Sequence, residues 1–538
     1  MTGQFPHLIV APIILPLIIG ALLLFFDDRE RRLKTSLAIL SVLAQLAIGL
    51  TLLFRVHWSD DATALVYLLG NWPAPIAINL IADRLSSIML VLGSLLAIPA
   101  LIFATARWDK AGPHFHSMFQ FMLVGINGAF LTGDLFNLFV FFEVMLAASY
   151  GLVLHGSGPA RVKAGLHYIA INLAASLVFL IGIAMVFGAT GSLNMAEISM
   201  RAADLEGFAT PGLHVGLSML GLAFLVKAAM WPLGNWLVPA YSASAGPVAA
   251  IMAILSKVGI YALIRLSLLV PAEGEVFGSL VIFIGGAATL VFASIGLLAT
   301  QSIRTATAYL VMVSSGTILA TLGLSEPAST TGALYYLVTS TLATGALFLL
   351  AELLERDQDP LSAMLSVTME AFGENSQFVD PEEEVGRPMP QAAAVLAAGF
   401  GILAMVLIGL PPLAGFLAKF AILHSVIGPG AEAMSEAVTM RLGLAALLIF
   451  SGLTALIALS RAGIRTFWAP VEPFMPRVSI VEVAPVLFLL VVIVLLSVYA
   501  GPAVDLMAAT ANDLHIPNGY LDAVLGAERV PPFAGGEE

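Results

Sequence analysis

Phe224-Leu-Val-Lys227-Ala-Ala-Met-Trp231-Pro232 sets a lysine in an apolar helical run and follows it, four and five residues on, with Trp-Pro. An ammonium at the centre of a membrane helix costs about 2.5–3.5 kcal/mol on insertion scales, so a lysine kept there marks a functional site by default. Pro232 removes a backbone donor and interrupts the helix. The freed groups must then be answered by neighbouring elements, as in the broken helices that line transport pathways. The stretch therefore predicts a membrane helix broken at a charged site. It asks three things of the rest of the chain: a counter-charge, a second copy and a line between them.

The surrounding 538 residues are 59% hydrophobic and 11% charged, with a mean hydropathy of +0.98. Soluble domains do not have this balance, and it predicts an all-α polytopic membrane protein. Zero cysteines exclude thiolate iron–sulfur or zinc sites and disulfides, and no cofactor is expected. A net charge of -12 excludes a nucleic-acid partner. Met1-Thr-Gly-Gln-Phe has no basic n-region, so residues 6–26 read as a first transmembrane helix, not a cleaved signal.

Apolar runs long enough to cross the bilayer lie at 6–26, 35–56, 85–105, 117–132, 134–155, 166–188, 213–231, 247–270, 276–300, 305–324, 332–353, 392–428, 440–460 and 480–500. That gives about fourteen spans, the twelfth too long for one straight helix. Short loops on one side carry Arg29, Arg31, Arg32, Lys34, Arg107, Lys110, Arg161, Lys163, Arg304, Arg356, Arg387, Arg461, Arg465 and Arg477. The other side carries only Arg55, Arg84, Arg201, Arg265, Arg441 and Arg529. The excess predicts both termini on the outer face. Residues 65–82 read as an outer β-hairpin turning at Gly70-Asn71. The acidic stretch 354–391 reads as a solvated cytoplasmic linker, and the tail 502–538 holds no further span.

This sorting leaves three basic residues, Lys227, Lys257 and Lys419, all inside apolar spans and half of the six lysines in the chain. The fifth span, Asp134-Leu-Phe-Asn-Leu-Phe-Val-Phe-Phe-Glu143, puts Glu143 about nine residues from either end, near the midplane. Desolvation favours a neutral acid at that depth and a neighbouring ammonium favours the ionised one, so a Glu143–Lys227 pair can switch. Lysine also suits proton relay, since burial removes its charge far more readily than that of arginine. Lys257 has Ser256 and Tyr261 as neighbours for a water chain onward. Ile408-Gly-Leu-Pro411-Pro412-Leu-Ala-Gly415-Phe-Leu-Ala-Lys419 supplies the second copy, a lysine beside a Pro/Gly break. With Pro232, Pro247, Pro411 and Pro412 as the breaks, the expectation is two inverted five-helix repeats. Residues 1–116 hold helices 1–3 and the outer loop, 117–270 the first repeat, 271–460 the second with its acidic loop, and 461–538 the last helix and tail. No second carboxylate near Glu143 forms an oxygen cage, so a metal or cation site is not legible.

These motifs resemble the antiporter-like subunits shared by respiratory complex I and the multisubunit Mrp cation/proton antiporters. The resemblance spans roughly residues 80–460 and rests on Asp134–Glu143, Lys227–Pro247 with its Trp-Pro-Leu-Gly-Asn-Trp, and Gly409–Lys419. The pattern is most similar to the D-type subunits of Mrp-type (Mnh, Pha) antiporters. It implies that Glu143 and Lys227 are the family's glutamate–lysine pair, Lys257 its central relay lysine and Lys419 the terminal lysine of a second half-channel. It also implies a bacterial inner membrane, partner subunits of the A, B, C, E, F and G types, and exchange of protons for Na⁺ or K⁺ without covalent chemistry. Ser314 stands where many relatives carry histidine, and some carry histidine near Ser340 and lysine near Thr344, which makes the second half here less ionisable. His167 stands where relatives often carry lysine and reads equally as a pH-sensitive uptake group or a loop-edge residue. Two rival readings remain: a proton-pumping complex I subunit, whose counterpart of similar length usually has glutamate at Lys419, and a non-transporting assembly subunit.

Overall fold

The computed structural model describes residues 6–27, 30–58, 63–72, 78–205, 209–272, 275–276, 278–356, 392–427, 435–468 and 478–527. Most of the acidic stretch, including Asp357, Asp359, Glu370, Glu374, Asp380 and Glu382–Glu384, lies outside them. The helices begin with α1 (Ala11–Leu22), α2 (Arg31–Trp58), α3 (Arg84–Arg107), α4 (Phe115–Leu131), α5 (Leu135–Val153) and α6 (Pro159–Thr190). Next come α7 (Met195–Ala203), α8 (Ala209–Lys227), α9 (Leu237–Ala243), α10 (Gly246–Met252), α11 (Leu255–Leu269), α12 (Ser279–Ala299), α13 (Ile303–Leu322) and α14 (Pro327–Leu354). The chain continues as α15 (Ala392–Ile408), α16 (Ala414–Ile427), α17 (Ser435–Gly463), α18 (Ile480–Val498), α19 (Ala500–His515) and α20 (Asn518–Leu525). Among the described residues eleven helices, counting α10–α11 as one, are long and apolar enough to cross a membrane; Ala11–Leu22, Phe115–Leu131, Ala392–Ile408 and Ala414–Ile427 are shorter apolar helices.

Burial sorts these helices into a core and a rim. The most apolar windows of α10–α11 and α14 are wholly buried, whereas those of α2, α6 and α18 are mostly open and present Phe54, Leu177 and Val491 outward. Apolar side chains facing outward all along a helix are what a lipid-facing surface requires. Polar groups inside are answered. Pro16 has no N–H to give the Pro12 carbonyl one turn earlier, and Asn127 supplies it instead at 2.8 Å while bonding Gln45 at 2.8 Å.

The predicted hairpin is present as β1 (Ala64–Leu68) paired antiparallel with β2 (Asn79–Asp83), and Gly70 (φ 67°) and Asn71 (φ 60°) take the left-handed turn. Asp83 then caps α3, accepting from Ser86 N at 2.8 Å. The tail folds as α19 and α20, which return to the hairpin end and pack against α14 and β1 respectively.

The seventh run is broken as expected and is longer than its apolar core. α8 stops at Lys227, Ala229 adopts φ 59°, the Trp231–Pro232 peptide is cis, and α9 resumes at Leu237. The twelfth run breaks between α15 and α16, at Gly409 (φ 87°) and the cis Pro411–Pro412 peptide. The eighth run, read as one helix, is also in two pieces. Pro247 opens α10 at its first turn, and the interruption falls at Ala253–Ile254. There the Tyr241 hydroxyl donates to the Met252 carbonyl at 2.6 Å, in place of the next helical N–H. Sequence patterning misses this break because it holds neither glycine nor proline.

Candidate functional site

Glu143 is the ninth residue of α5 and is half-buried. Among the described residues no ion pair joins it to Lys227. The two are linked through Ser176 of α6, whose hydroxyl donates to Glu143 Oε1 and lies 3.4 Å from Lys227 Nζ, which donates to it. Ser176 also lies 3.0 Å from the Asn172 carbonyl. A hydroxyl has one proton, so it serves either Glu143 or Asn172 at any moment while accepting from the ammonium. Lys227 is buried, 4.8 Å above the Phe142 ring, and Phe142, Phe179 and Phe224 pack around the pair. Lys227 is also the last residue of α8, where the negative end of the helix dipole favours a cation.

The broken backbone beyond Lys227 is held by side chains. Trp236 Nε1 donates to the Val226 carbonyl at 3.0 Å, and Trp231 N donates to Thr289 Oγ1 of α12 at 2.8 Å. Gly259 of α11 crosses here, and a Cβ on it would sit 2.7 Å from Ala228 N and 2.9 Å from the Lys227 carbonyl carbon. This backbone contact joins the Lys227 break to the helix carrying Lys257.

Lys257 occupies the first turn of α11, is 1% exposed, and donates to Ser315 Oγ of α13 at 3.3 Å. Beside Ser315, Ser314 meets Ser340 of α14 at 2.7 Å, so two hydroxyls face one another there. Thr344 back-bonds to the Ser340 carbonyl at 2.8 Å. Lys419 lies on α16, which packs against α14. Its Nζ donates to the Leu407 carbonyl at 3.3 Å and the Ile408 carbonyl at 2.9 Å, the last two carbonyls of α15. The lysine thus caps a helix terminus that the Gly-Leu-Pro-Pro break leaves open.

All three lysines therefore stand at helix breaks. The accessory residues divide. Ser256 is fully buried next to Lys257, and among the described residues its hydroxyl has no hydrogen-bond partner. Tyr261 does not point along a line to Lys419: its hydroxyl donates to the Phe130 carbonyl at 2.5 Å and accepts from Arg265 at 3.1 Å, toward the hairpin end. His167 is exposed on α6, nine residues before Ser176. Sequence reasoning does not single out Ser176, Trp236, Tyr241, Gly259 or Ser315. Ser176, Gly259 and Ser315 signal only as small or hydroxylated side chains in apolar helices, which is common, whereas Trp236 and Tyr241 lie within the Lys227–Pro247 stretch but carry no charge to set them apart. Among the described residues no three His, Asp or Glu side chains gather as a metal site.

Residues 132–445 match the family model described as NADH:quinone oxidoreductase/Mrp antiporter, TM. The chain is 49% identical over 537 residues to the D-type subunit of a probable K(+)/H(+) antiporter of Rhizobium meliloti (strain 1021), covering 98% of this chain and 99% of that one. It is 30% identical over 531 residues to the D-type subunit of a Na(+)/H(+) antiporter of Bacillus subtilis (strain 168), covering 96% and 99%. Its fold superposes on a chain of the Mrp complex from Dietzia sp. DQ12-45-1b with a TM-score of 0.79 at 25% identity, over 97% of this chain and 100% of that one. A chain of respiratory complex I from Thermus thermophilus with bound NADH shares the fold at a TM-score of 0.74 and 23% identity, over 97% and 100%. The chain belongs to the NADH:quinone oxidoreductase/Mrp antiporter transmembrane family.

Proposed function

We propose that this chain is the proton-translocating subunit of a multisubunit monovalent cation/proton antiporter, a secondary transporter. The observation that carries the mechanism is the Glu143–Ser176–Lys227 bridge at the end of a broken helix. A proton reaching Glu143 weakens its hold on the Ser176 hydroxyl, which turns to the Asn172 carbonyl. Lys227 then loses its link to a carboxylate and passes its proton toward Lys257. From Lys257 the Ser315, Ser314 and Ser340 hydroxyls lead toward α14 and Lys419. The charge shift is felt by the neighbouring subunit, where the Na⁺ or K⁺ crosses. The near full-length identity to relatives named as D-type subunits of K⁺/H⁺ and Na⁺/H⁺ antiporters supports this reading over a complex I subunit.

The same reading places the chain in a bacterial inner membrane, both termini outside, beside A-, B-, C-, E-, F- and G-type subunits. It takes α8–α9, α10–α11 and α15–α16 each as one broken crossing, giving fourteen spans, with 117–270 and 271–460 as inverted repeats. Segregation of charges supports the orientation: Arg84, Arg265 and Arg441 pair at the hairpin end, Arg304 and Arg356 at the opposite one.

The test is cation/proton exchange in vesicles holding the complete complex. Glu143→Gln and Lys227→Ala should each abolish exchange while the complex still assembles. Full exchange in either variant would reduce the chain to an assembly subunit.

A further inference from the structure

Helix α11 carries Lys257, Tyr261 and Arg265 at a spacing of four, one face with about 6 Å of rise per step. All three are buried, 1%, 3% and 6% exposed, on a helix with hardly any open surface. The axial line through Ser315 uses only the first of them. The rest of the stripe leads elsewhere. Tyr261 donates to the Phe130 carbonyl, one of the unpaired carbonyls at the end of α4, and accepts from Arg265 Nε. Arg265 Nη2 meets Asp83 Oδ1 at 2.5 Å, and its guanidinium lies 5.1 Å from the Tyr261 ring and 5.4 Å from that of Tyr520.

Asp83 and Arg265 line a cavity of about 40 Å³ together with Thr63, Arg84, Asp513 and Tyr520. That is room for roughly three waters. Thr63, at its rim, is exposed. Charged and titratable groups face Asp83 from each packed element: Arg265 and Tyr261 of α11, Arg84 of α3, Asp513 of α19 and Tyr520 of α20, with His57 of α2 in reach of Arg84 and Asp513. A clasp for the C-terminal helices would need the Asp83–Arg265 pair. It would not need a hydroxyl one turn from the relay lysine and bonded to the arginine of that pair.

We propose that this stripe is a second branch of the proton path, joining Lys257 to the hairpin end through Tyr261 and Asp83. It rests on the proposed role of Lys257 as a relay lysine. A proton leaves the Lys257 ammonium, directly or through one water, and binds the Tyr261 oxygen as the phenolic proton turns from the Phe130 carbonyl and departs through cavity water to Asp83. Lys257 ends as a neutral amine, Tyr261 as a neutral phenol and Asp83 as a neutral acid. Asp83 then releases the proton to cavity water. Arg265 stays a cation throughout and is a positioning residue, holding the phenol and the carboxylate in line.

Exchange should be measured in vesicles with the complete complex carrying Tyr261→Phe, Asp83→Asn, Lys257→Ala or Thr63→Cys. Tyr261→Phe and Asp83→Asn should each slow exchange about tenfold or more, and Asp83→Asn should also flatten the acid limb of its pH profile. Because this chain has no cysteine of its own, a polar methanethiosulfonate added from the hairpin side should inhibit Thr63→Cys relative to the same unlabelled variant. Wild-type rates and pH profile in both substitutions, with labelled Thr63→Cys unaffected and Lys257→Ala inactive, would overturn the branch and leave the axial relay standing. An active Lys257→Ala would sink both. Should Tyr261→Phe or Asp83→Asn fail to assemble, labelling of Thr63→Cys decides alone.

Discussion

The Ser176 hydroxyl has one proton to give and two acceptors in reach, Glu143 and the Asn172 carbonyl, while Lys227 donates to its oxygen. Hydrogen bonds to charged groups are worth about 1.5–3 kcal/mol, and about 1.4 kcal/mol is a tenfold rate. Ser176→Ala should therefore slow cation/proton exchange about tenfold or more in vesicles with normal amounts of complex. Ser176→Thr, which keeps the hydroxyl, should recover most of the rate; an unchanged rate in Ser176→Ala would show that the link is not used. Lys419 caps two α15 carbonyls in addition to its proposed role as a relay group. Lys419→Met should both abolish exchange and lower the thermal midpoint of the purified complex. A loss of exchange with an unmoved midpoint would mean that the cap carries no stability. Glu143 and the three lysines were legible in the sequence because a charge in an apolar run is expensive and stands out. Ser176 was not, because a hydroxyl in such a run is cheap.

Glycines decide how closely the broken helices approach. A Cβ on Gly259 would meet backbone atoms of Ala228 and Lys227, and one on Gly415 would lie 1.9 Å from the Val406 carbonyl oxygen. Backbone cannot yield as a side chain can, and overpacking of this kind costs about 1–3 kcal/mol. Gly259→Ala should accordingly destabilise the complex and separate Lys227 from Lys257, seen as a lower thermal midpoint together with slower exchange. Gly443→Ala, where a Cβ on α17 meets nothing within 4 Å, should leave both unchanged. If the two alanines behave alike, the close crossing is not what sets the site. The breaks at Pro232 and Pro411–Pro412 could be read from sequence, since proline forbids the helical bond. The break at Ala253–Ile254 could not, since it is made from a distance by Tyr241. The tail is a similar case: too polar to span, it offered no reason to expect helices until α14 and β1 supplied surfaces for them.

Across the whole molecule, the hairpin end is stitched by ion pairs that join segments far apart in the chain: Asp83 with Arg265, Arg84 with Asp513, and Glu326 with Arg441. Composition and the long apolar runs made the multi-pass helical architecture legible, because bilayer thickness constrains every helix alike. The pairing of these charges was not legible, since each partner lies hundreds of residues or several helices away. Asp83, at the mouth of α3 and outside the spans, gives a measurable consequence. Burial alone would push its carboxyl up, but the Arg265 guanidinium and the Ser86 bonds overcome this and hold it below its ordinary value of 3.8. A carboxyl lowered by folding adds stability above its unfolded value and loses it as pH falls through the folded one. The contribution should thus be complete at neutral pH and should decline only in acid, below about pH 4. Thermal midpoints of the purified complex against pH should fall on that acid side, with a shallower fall in Asp83→Asn, which keeps the cap and loses the titration. Arg265→Met removes the partner and leaves a buried carboxylate alone, so its destabilisation should be largest at neutral pH and shrink as Asp83 takes up a proton. A loss that is constant across pH in Arg265→Met would mean that Arg265 acts through its packing between Tyr261 and Tyr520, not through its charge.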